Sequence, residues 1–297
     1  MTRFVSVGEC MVELAPLAAA GQFGIAFAGD TLNTAWYARK LRPDWDISYV
    51  TAVGQDRASD QMVDFLKDAG IGTDDVQRIP DRTVGLYMIS LDGAERHFSY
   101  WRGQAAARVL GADGAALLTA FKDADVIYFS GITLAVQEGD GRDRLLDVMA
   151  RMRSAGKQIV FDSNLRLRLW DSVDEMCTWV NKAAAVSDVI LPSHDDEAAF
   201  FRDTDALATC NRYIGLGAKT VVVKNGPGMI YYQHNGARGV VEPAVVTDLV
   251  DTTAAGDSFN AGFLASFVEG KPIEQAIDAA TNVARRVIQG RGALVEI

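Results

Sequence analysis

The sequence predicts an α/β protein with a central parallel β-sheet flanked by helices and a second, smaller β-sheet. Three observations predict this fold. Apolar runs of strand length alternate with helical segments in the second half, two earlier β-rich stretches (11–28 and 83–102) interrupt that alternation, and polar residues gather where apolar runs end. A chain of 297 residues can bury a sizeable core in one domain. We therefore expect a single domain, 1–297, with the smaller sheet formed by about 11–28 and 83–102.

Four segments of the first half predict regular elements, two strands and two helices. The strands are RFVSVGE (3–9) and ISYVTAVG (47–54), and the helices are TLNTAWYARKL (31–41) and ASDQMVDFLKDAG (58–70). Asp30 or Thr31 is expected to cap the first helix, and Gly70 to close the second. Two β-rich runs on either side of DGAE (92–95) predict a hairpin.

The second half alternates regularly between apolar runs and the segments that follow them. The runs are ADVIYFSG (124–131), QIVFDSN (158–164), DVILPS (188–193) and TVVVKNG (220–226). The segments that follow are GRDRLLDVMARMRSAG (141–156), SVDEMCTWVNKAAAV (172–186), DDEAAFF (195–201) and GMIYYQ (228–233). Such alternation is typical of βαβ units, in which parallel strands form a sheet covered by helices on both faces.

The charge and the cysteines narrow the classes of partner. The formal net charge is -10, so the surface repels nucleic acid and anionic membranes, and we expect neither as a partner. Cys10, Cys177 and Cys210 form no CxxC pair, which is typical of reduced thiols. Glu9 and Glu13 interrupt the apolar run that a signal peptide needs, and no run is long enough to span a bilayer. We therefore expect a cytoplasmic protein.

Polar residues follow four of the predicted strands. They are Asn164 and Arg166 after IVFD, residues 193–197 after VILP, Lys224 and Asn225 after TVVV, and residues 252–257 after VTDLV (246–250). In open α/β sheets, ligands bind beyond the carboxyl ends of the strands. The sequence therefore predicts one crevice to which four strand ends contribute.

The stretch DTTAAGDSFNAGF (251–263) predicts an anion site beside a carboxylate. Its small residues leave the N–H groups of residues 254–257 unshielded at a predicted helix start, where the first amides lack internal acceptors and the dipole is positive. Asp257 would bring a general base to that site, so Ala254, Ala255, Gly256 and Asp257 suit phosphoryl transfer. The alternative is that Asp257 is an ordinary N-cap on a glycine-rich turn.

Longer motifs resemble one enzyme family. DTTAAGDSFNAGFLA (251–265) resembles the C-terminal signature of the ribokinase-like (PfkB-type) carbohydrate kinases, and FAGDTLNTA (27–35) resembles their N-terminal sugar-binding segment. VTAVGQD (50–56) and VVVKNGPGM (221–229) fall in the family's order, so the resemblance covers essentially the whole chain. It implies a Rossmann-like α/β domain with a β lid, Mg-ATP as the phosphoryl donor, and transfer to a terminal hydroxyl of the substrate.

Several segments resemble the branch of that family that phosphorylates 2-keto-3-deoxygluconate to 2-keto-3-deoxy-6-phosphogluconate. They are GECMVEL, GDTLNTA, GLY, YWR, DSNLRLRLW, DDE and DTTAAGDSF. This sugar acid has a carboxylate, which ribose lacks, and a planar guanidinium can bind a carboxylate through two hydrogen bonds. Arg102 in YWR and Arg166 in NLR are therefore the expected carboxylate ligands. The alternative for each is an ordinary surface arginine.

Five further residues are expected to contact the substrate. Gly29, Asp30 and Asn33 lie in the segment that resembles the sugar-binding one, where glycine lets a sugar approach the backbone and the other two can bond hydroxyls. Tyr87 and Tyr100 fall in the predicted lid strands and could bond hydroxyl or keto oxygens. Packing within the lid is the alternative for both tyrosines.

The resemblance also implies residues for the nucleotide and the metal. KNGPGM (224–229) resembles the family's ATP-lining loop, and the P-loop pattern GxxxxGK[ST] is absent from the sequence. The expected nucleotide ligands are Asn164, Arg166, Lys224, Asn225, Gly226, Gly228, Met229, Ala254 and Gly256. The family's Asn-x-x-Glu is replaced here by SHDDE (193–197), which leaves open whether Asp196 or Glu197 orders the water shell of Mg²⁺.

One departure and two alternative functions remain. Ala254 stands where the broader family often has glycine, and alanine is compatible with activity if its φ is negative. The alternatives are a PfkB-type kinase for ribose, fructose or a nucleoside, and a non-catalytic sugar-acid-binding regulator. Asp257 argues against the regulator, whereas Arg102 and Arg166 argue against neutral sugars.

Since a lid with an exposed apolar face often pairs with another lid, we expect a homo-oligomer.

Overall fold

The computed structural model describes residues 1–19, 21–92, 95–243, 246 and 248–297. Within these residues the strands are β1 (Arg3–Val7), β2 (Met11–Pro16), β3 (Phe23–Ala28), β4 (Asp46–Val50), β5 (Ala52–Val53), β6 (Gln77–Arg78), β7 (Gly85–Asp92), β8 (Glu95–Trp101), β9 (Val126–Ser130), β10 (Gln158–Asp162), β11 (Val189–Ile190), β12 (Thr220–Val223), β13 (Ile230–His234) and β14 (Ala237–Val241). The α-helices are α1 (Asp30–Leu41), α2 (Arg57–Asp68), α3 (Gly114–Phe121), α4 (Gly131–Ala135), α5 (Gly141–Ser154), α6 (Val173–Ala185), α7 (His194–Phe201), α8 (Ala206–Gly215), α9 (Ala255–Phe267) and α10 (Ile273–Val287).

The main sheet has the strand order β14-β13-β12-β11-β10-β9-β1-β4. The six strands from β12 to β4 pair in parallel, which confirms the predicted parallel sheet. β13, which contains most of GMIYYQ, turns back and pairs antiparallel with β12, and β14 continues in the same way. The short loop between β12 and β13 cannot make a crossover, which needs a dozen or more residues.

Helices cover both faces of the main sheet, and each face has its own apolar core. One core contains residues of α1, α2, α9 and α10, and the other contains residues of α3, α5, α6 and α8. Consecutive strand residues alternate between the two: Phe4 and Tyr128 pack on one side, Val5 and Phe129 on the other. None of the helices in the described part of the chain is both long and apolar enough to cross a membrane.

The two β-rich stretches form a separate small sheet, as the sequence predicts. Its strand order is β3-β2-β7-β8. Its inner face includes Met11, Tyr87 and Ile89, which pack near Ala254 and Leu294 of the main body. β7 and β8 pair antiparallel, but residues 93 and 94 of the predicted DGAE turn lie outside the described residues. The small sheet therefore faces the start of α9 with its apolar side.

One predicted strand is shorter in the structure than the sequence indicates, and another is absent from the described residues. ISYVTAVG is interrupted at Thr51, because Ala52 and Val53 leave the main sheet and pair with β6. The described residues of VTDLV, 246 and 248–250, form no strand, and residue 247 lies outside the description. Instead, the N–H groups of Val250 and Asp251 both donate to the carbonyl of Ile288, which draws this segment towards the end of α10.

The predicted cap of α1 is also wrong. Gly29 occupies the N-cap position, Asp30 is the first helical residue, and no side chain caps the helix. The carboxylate of Asp30 is turned to other partners, accepting a hydrogen bond from the N–H of Thr31 at 2.8 Å and another from a residue after β10. Because Asp30 does not cap the helix, its carboxylate lies in the crevice at the carboxyl ends of the strands.

Candidate active site

The starts of α1 and α9 bring two distant segments of sequence together. Asn33, one turn into α1, donates from Nδ2 to Oδ2 of Asp257 at 2.8 Å. Thr34 donates from its hydroxyl to the main-chain carbonyl of Asp257 at 3.2 Å. The segment that resembles the family's sugar-binding one therefore lies directly against the predicted general base.

The amides at the start of α9 lie where the sequence predicts an anion site, at 254–257. Ala255 N donates to the carbonyl of Thr252, and Ser258 N donates to that of Ala254. Among the hydrogen bonds of the described residues, the N–H groups of Gly256 and Asp257 have no main-chain acceptor. Free amides at a helix N-terminus attract anions, because the helix dipole is positive there.

The negative φ that an alanine at position 254 is expected to need is not observed. Its backbone is left-handed, with φ 59° and ψ 17°, at the N-cap of α9. This conformation costs a residue with a Cβ roughly 1–2 kcal/mol, whereas glycine adopts it freely. Strain of this kind persists only where the surrounding structure holds it, and it is common at active sites.

Lys224 reaches the start of α9 through a buried polar network. Its Nζ donates to Oδ1 of Asn260 at 3.0 Å and to Oδ1 of Asp162 at 3.3 Å. Asn260 in turn donates to Oδ2 of Asp162 at 2.7 Å and to the hydroxyl of Tyr128 at 3.0 Å. A Cβ placed on Gly256 would lie 3.7 Å from Nζ of Lys224, so the ammonium lies beside the first turn of α9.

Sequence reasoning missed Asp162 and Asn260, although each carries a usable signal. Asp162 ends β10, two residues before Asn164, and Asn260 lies three residues after Asp257, about one helical turn. Four more of the residues predicted to bind the nucleotide follow Lys224 in the loop between β12 and β13. They are Asn225, Gly226, Gly228 and Met229.

Asp30 joins the same cluster from the opposite side. Asn164, which the sequence assigns to the nucleotide, donates from Nδ2 to Oδ2 of Asp30 at 2.7 Å. Gly29 is needed just before it, because a Cβ there would lie 2.3 Å from the carbonyl oxygen of Glu9. Gly29, Asp30, Asn33 and Asn164 therefore form one wall around Asp257.

Burial and like charge shift two carboxyl groups in this wall. Burial, followed by the negative charge of Asp30, raises the pKa of Asp257 to about 8, although the hydrogen bond from Asn33 opposes the shift. Burial also raises the pKa of Asp30, despite its hydrogen bonds from Ser130 and Asn164. A carboxylate with a pKa near the working pH suits a general base.

Arg102 does not stand free in the cleft, because it pairs with Glu9. Its Nη2 donates to Oε2 of Glu9, and the side chain of Glu9 is almost fully buried. Burial raises the pKa of Glu9 even though Arg102 opposes the shift. Nε of Arg102 and Oε1 of Glu9 have no partner among the described residues. This pair therefore leaves one buried donor and one buried acceptor unpaired within the described part of the chain.

Arg166 lies in a cavity of about 740 Å³ between the small sheet and the main body. Nη1 of Arg166 lies 3.3 Å from Oδ2 of Asp196 and donates to the carbonyl of Leu165. The cavity is also lined by Arg96, Tyr100, Arg168, Thr252 and Ala254. It therefore connects Arg166 with the loop before α9.

Sequence reasoning missed two arginines of this cavity, Arg96 and Arg168. The guanidinium of Arg168 stacks 4.1 Å from the centroid of the Tyr100 ring and donates to its hydroxyl. Arg168 has no carboxylate partner among the described residues, unlike Arg166. The signals available were its position two residues after Arg166, and the alternation that places Arg96 on the same face of β8 as Tyr100.

Tyr87 and Tyr100 are directly opposite each other on β7 and β8, with ring centroids 5.8 Å apart. The hydroxyl of Tyr87 donates to Glu13 on the neighbouring strand β2, and burial raises the pKa of this tyrosine. The Tyr87 hydroxyl is therefore used in a hydrogen bond within the small sheet, whereas the Tyr100 hydroxyl accepts one from Arg168 of the main body.

Of the two expected metal residues, Asp196 alone lines the cavity. Glu197 is fully buried and accepts hydrogen bonds from Ser163, Arg212 and Tyr213. Burial raises the pKa of Glu197 to about 7 despite the charge of Arg212. No group of three or more His, Cys, Asp or Glu side chains in the described part of the chain could hold a metal ion. Asp196 is therefore the better candidate.

Comparisons with known proteins agree with this geometry. The model of the pfkB family carbohydrate kinases matches residues 1–296. The 2-dehydro-3-deoxygluconokinase of Haemophilus influenzae is 37% identical, over 100% of this chain and 96% of that protein. The enzyme of the same name from Escherichia coli K12 is 37% identical, over 99% and 97%. A crystal structure of a PfkB protein from Polaromonas sp. JS666 matches with a TM-score of 0.86 and 25% identity, over 98% and 96%.

Proposed function

This chain belongs to the pfkB family of carbohydrate kinases, and on that premise we propose that it phosphorylates the terminal hydroxyl of 2-keto-3-deoxygluconate with ATP. The observation that carries the proposal is Asp257, bonded to Asn33 beside the free amides of α9 and close to Lys224. The relatives named 2-dehydro-3-deoxygluconokinase, a synonym for kinases of this sugar acid, support the choice of substrate.

In the proposed reaction, the C6 hydroxyl oxygen forms a bond to the γ-phosphorus of ATP. The bond between that phosphorus and the oxygen bridging to the β-phosphate breaks, and ADP leaves with the electron pair. Asp257 accepts the hydroxyl proton, so it must be deprotonated before the step. The amides of Gly256 and Asp257 and the ammonium of Lys224 stabilise the negative charge on the transferred group.

The substrate carboxylate is proposed to meet arginines at the other side of the cleft. Arg166 lines the cavity, and Arg102 retains an unpartnered Nε, so both remain proposed ligands. Arg168 joins them, because in the described part of the chain its guanidinium contacts only the ring and hydroxyl of Tyr100. Charged, bidentate hydrogen bonds are the strong contacts that such an acid group can make.

On the opposite wall, Gly29, Asp30 and Asn33 are proposed to receive the sugar hydroxyls. Asp30 and Asn33 already lie in the hydrogen-bonded cluster around Asp257, which places them near the reacting end of the substrate. Tyr100 lies on the arginine side, beside Arg168, and is proposed to bond the keto oxygen next to the carboxylate, while Tyr87 supports the small sheet.

The nucleotide is proposed to lie along the 224–229 loop, with its phosphates towards α9. Asn164 and Arg166 are proposed to assist from the end of β10. Asp196 fits a hydrated Mg²⁺, because this ion retains waters and phosphate oxygens and needs few carboxylates. Such an ion would neutralise part of the phosphate charge, while Asp196 orients its water shell.

We further propose that the small sheet is a lid and that two copies of the chain associate through it. Its outer face exposes apolar side chains, with Ile25 at 70% and Trp101 at 57% exposure. Exposed apolar patches of this kind mark interaction surfaces. The three cysteines are unpaired, which suits the reducing cytoplasm in which we place the enzyme.

A substrate panel tests the proposed function. ATP turnover is measured with 2-keto-3-deoxygluconate, its galactonate epimer, gluconate, ribose and adenosine, and the product is identified by ³¹P and ¹³C NMR. We expect a 2-keto-3-deoxy acid to give the highest kcat/KM, with the phosphate on C6. Faster turnover of ribose or adenosine would make the chain a kinase for another sugar. Binding of the sugar acid without turnover would make it a regulator.

A further inference from the structure

Arg96 links the small sheet to the loop that precedes the anion site. It lies in β8, and its guanidinium contacts two residues of that loop. Nη2 lies 2.8 Å from Oδ2 of Asp251, and Nη1 donates to the hydroxyl oxygen of Thr253 at 2.9 Å. The side chain of Asp251 is only 6% exposed. Since a buried carboxylate needs partners to stay charged, Arg96 supplies the cationic one.

Asp251 fixes the loop from within. Its Oδ1 accepts hydrogen bonds from the N–H and the hydroxyl of Thr253, at 3.0 and 2.7 Å. Its Oδ2 accepts one from the N–H of Gly292 at 2.7 Å. The hydroxyl of Thr253 therefore donates to Asp251 and accepts from Arg96. One connected network joins the small sheet, the loop 251–253 and the chain beyond α10.

The loop ends at the strained residue of the site. Ala254 directly follows Thr253 and adopts φ 59°, and α9 begins at the next residue. Its methyl group packs near the apolar cluster that contains Tyr87 and Ile89 of the small sheet. A left-handed alanine persists only where its surroundings hold it. Two contacts from the small sheet hold this conformation: the hydrogen bond from Arg96 to Thr253, and the apolar contact of Ala254.

We propose that Arg96 is a positioning residue for phosphoryl transfer, which sets the loop 251–254 and so aims the amides of Gly256 and Asp257 at the transferred group. This inference rests on the proposed kinase function. Arg96 acts through Thr253 and Ala254 and not by touching the reacting atoms. Such a residue affects the transition state more than the binding of ATP, so kcat depends on it more than KM does.

Arg96→Met tests the inference, because methionine keeps an apolar stem but lacks the charge and the donors. We expect kcat with 2-keto-3-deoxygluconate to fall about 100-fold, the order that a misplacement of about 1 Å costs, with KM for ATP changed less than about threefold. Arg144→Met is the matched control, because Arg144 lies on α5 and, among the described residues, pairs only with Asp140. Arg96→Lys retains the charge and should recover part of the loss.

A second background separates positioning from a merely structural role. Glycine at position 254 adopts the left-handed conformation without strain, so Arg96→Met should cost about tenfold less in the Ala254→Gly background. If Arg96→Met unfolds in thermal scans, Thr253→Val takes its place, because it removes only the hydroxyl that Arg96 bonds. The inference is overturned if kcat stays within about threefold of wild type, or if the loss is equal in both backgrounds.

Failure of the proposed function would look different. In that case the wild-type protein does not phosphorylate 2-keto-3-deoxygluconate, and the link is measured by hydrogen exchange instead. Arg96→Met should then speed exchange of the amides of residues 254–257, while Arg144→Met should leave them unchanged. Unchanged exchange in Arg96→Met would overturn the inference without reference to activity.

Discussion

The two walls of the cleft differ in charge. The main-body wall carries carboxylates that pair with no arginine among the described residues, whereas the opposite wall, formed by the small sheet and residues 166–168, carries arginines. Asp30 and Asp257 lie together on the first wall, where burial raises the pKa of both. Arg96 and Arg102 lie on the second, and Arg168 stacks on it through Tyr100. A guanidinium beside Asp257 would lower the pKa that a base needs. Keeping the two sets apart allows one cleft to accept a proton and to recognise an acid.

The largest effect is expected at Asp257. Asp257→Asn keeps the shape but removes the basic carboxylate, and loss of a positioned base typically costs about 10²–10⁴-fold in rate. We expect kcat to fall by that factor, while KM for the sugar acid changes little. Steady-state kinetics measures both. Asp147→Asn, at an exposed position of α5, is the control. A kcat near the wild-type value in Asp257→Asn would remove Asp257 from the mechanism.

Changes on the arginine wall should have smaller effects, and mainly on KM. Replacing Arg102, Arg166 or Arg168 with Ala removes a charged hydrogen bond worth about 2 kcal/mol, or roughly 30-fold in KM for the sugar acid. KM for ATP should rise less in each case. Arg151→Ala, an exposed arginine of α5, is the control. A variant that binds the sugar acid as tightly as the wild type excludes its arginine as a carboxylate ligand.

The pH dependence of kcat/KM tests the electrostatics of the carboxylate wall. The pKa of Asp257 is raised to about 8, so the base is mostly protonated at pH 6 and activity should rise as the pH approaches 8. Since the charge of Asp30 contributes to that shift, Asp30→Asn should move the acid limb about one unit lower. Only the position of the limb is compared, because Asp30→Asn also lowers the rate itself. A limb near pH 5, or one unmoved by Asp30→Asn, would contradict the coupling.

The smallest effect is expected at Ala254, between the two walls, and it concerns the free energy of unfolding. Ala254→Gly relieves the left-handed strain but makes the unfolded chain more flexible, so we expect a net gain of about 0.5–1 kcal/mol. Ala255→Gly is the matched control, because residue 255 is helical and glycine there should destabilise by about 0.5–1 kcal/mol. Urea unfolding measures both. Destabilisation of equal size in the two variants would show that Ala254 is not strained.

The two walls also differ in how far the sequence predicts them. Asp257 and the amides beside it were predictable, because a helix start and the residues around it are local in sequence. Glu9 pairs with Arg102, and Arg96 with Asp251, across long stretches of chain, so no spacing indicates these contacts. The left-handed Ala254 was not predictable either, because tertiary contacts override the preference of alanine.

The same distinction explains the elements that were predicted correctly and those that were not. The strands and helices from 124 to 226 follow from hydrophobic periodicity, which is a local signal. The segment 246–250 has the apolar character of a strand, but its described residues lie against the end of α10, where Val250 and Asp251 share the carbonyl of Ile288. That outcome depends on a partner that the local sequence does not reveal.

The separation of the two walls is tested most directly by the preference for an acid over a neutral analogue. We compare kcat/KM for 2-keto-3-deoxygluconate with kcat/KM for 3-deoxyfructose, which has a hydroxymethyl group in place of the carboxylate. The wild type should prefer the acid by at least about 30-fold, from the value of one charged contact. Arg166→Ala should reduce that ratio towards one, whereas Asp257→Asn should lower both rates and leave the ratio unchanged. A ratio that survives in Arg166→Ala, Arg168→Ala and Arg102→Ala alike, or that collapses in Asp257→Asn, would contradict the account.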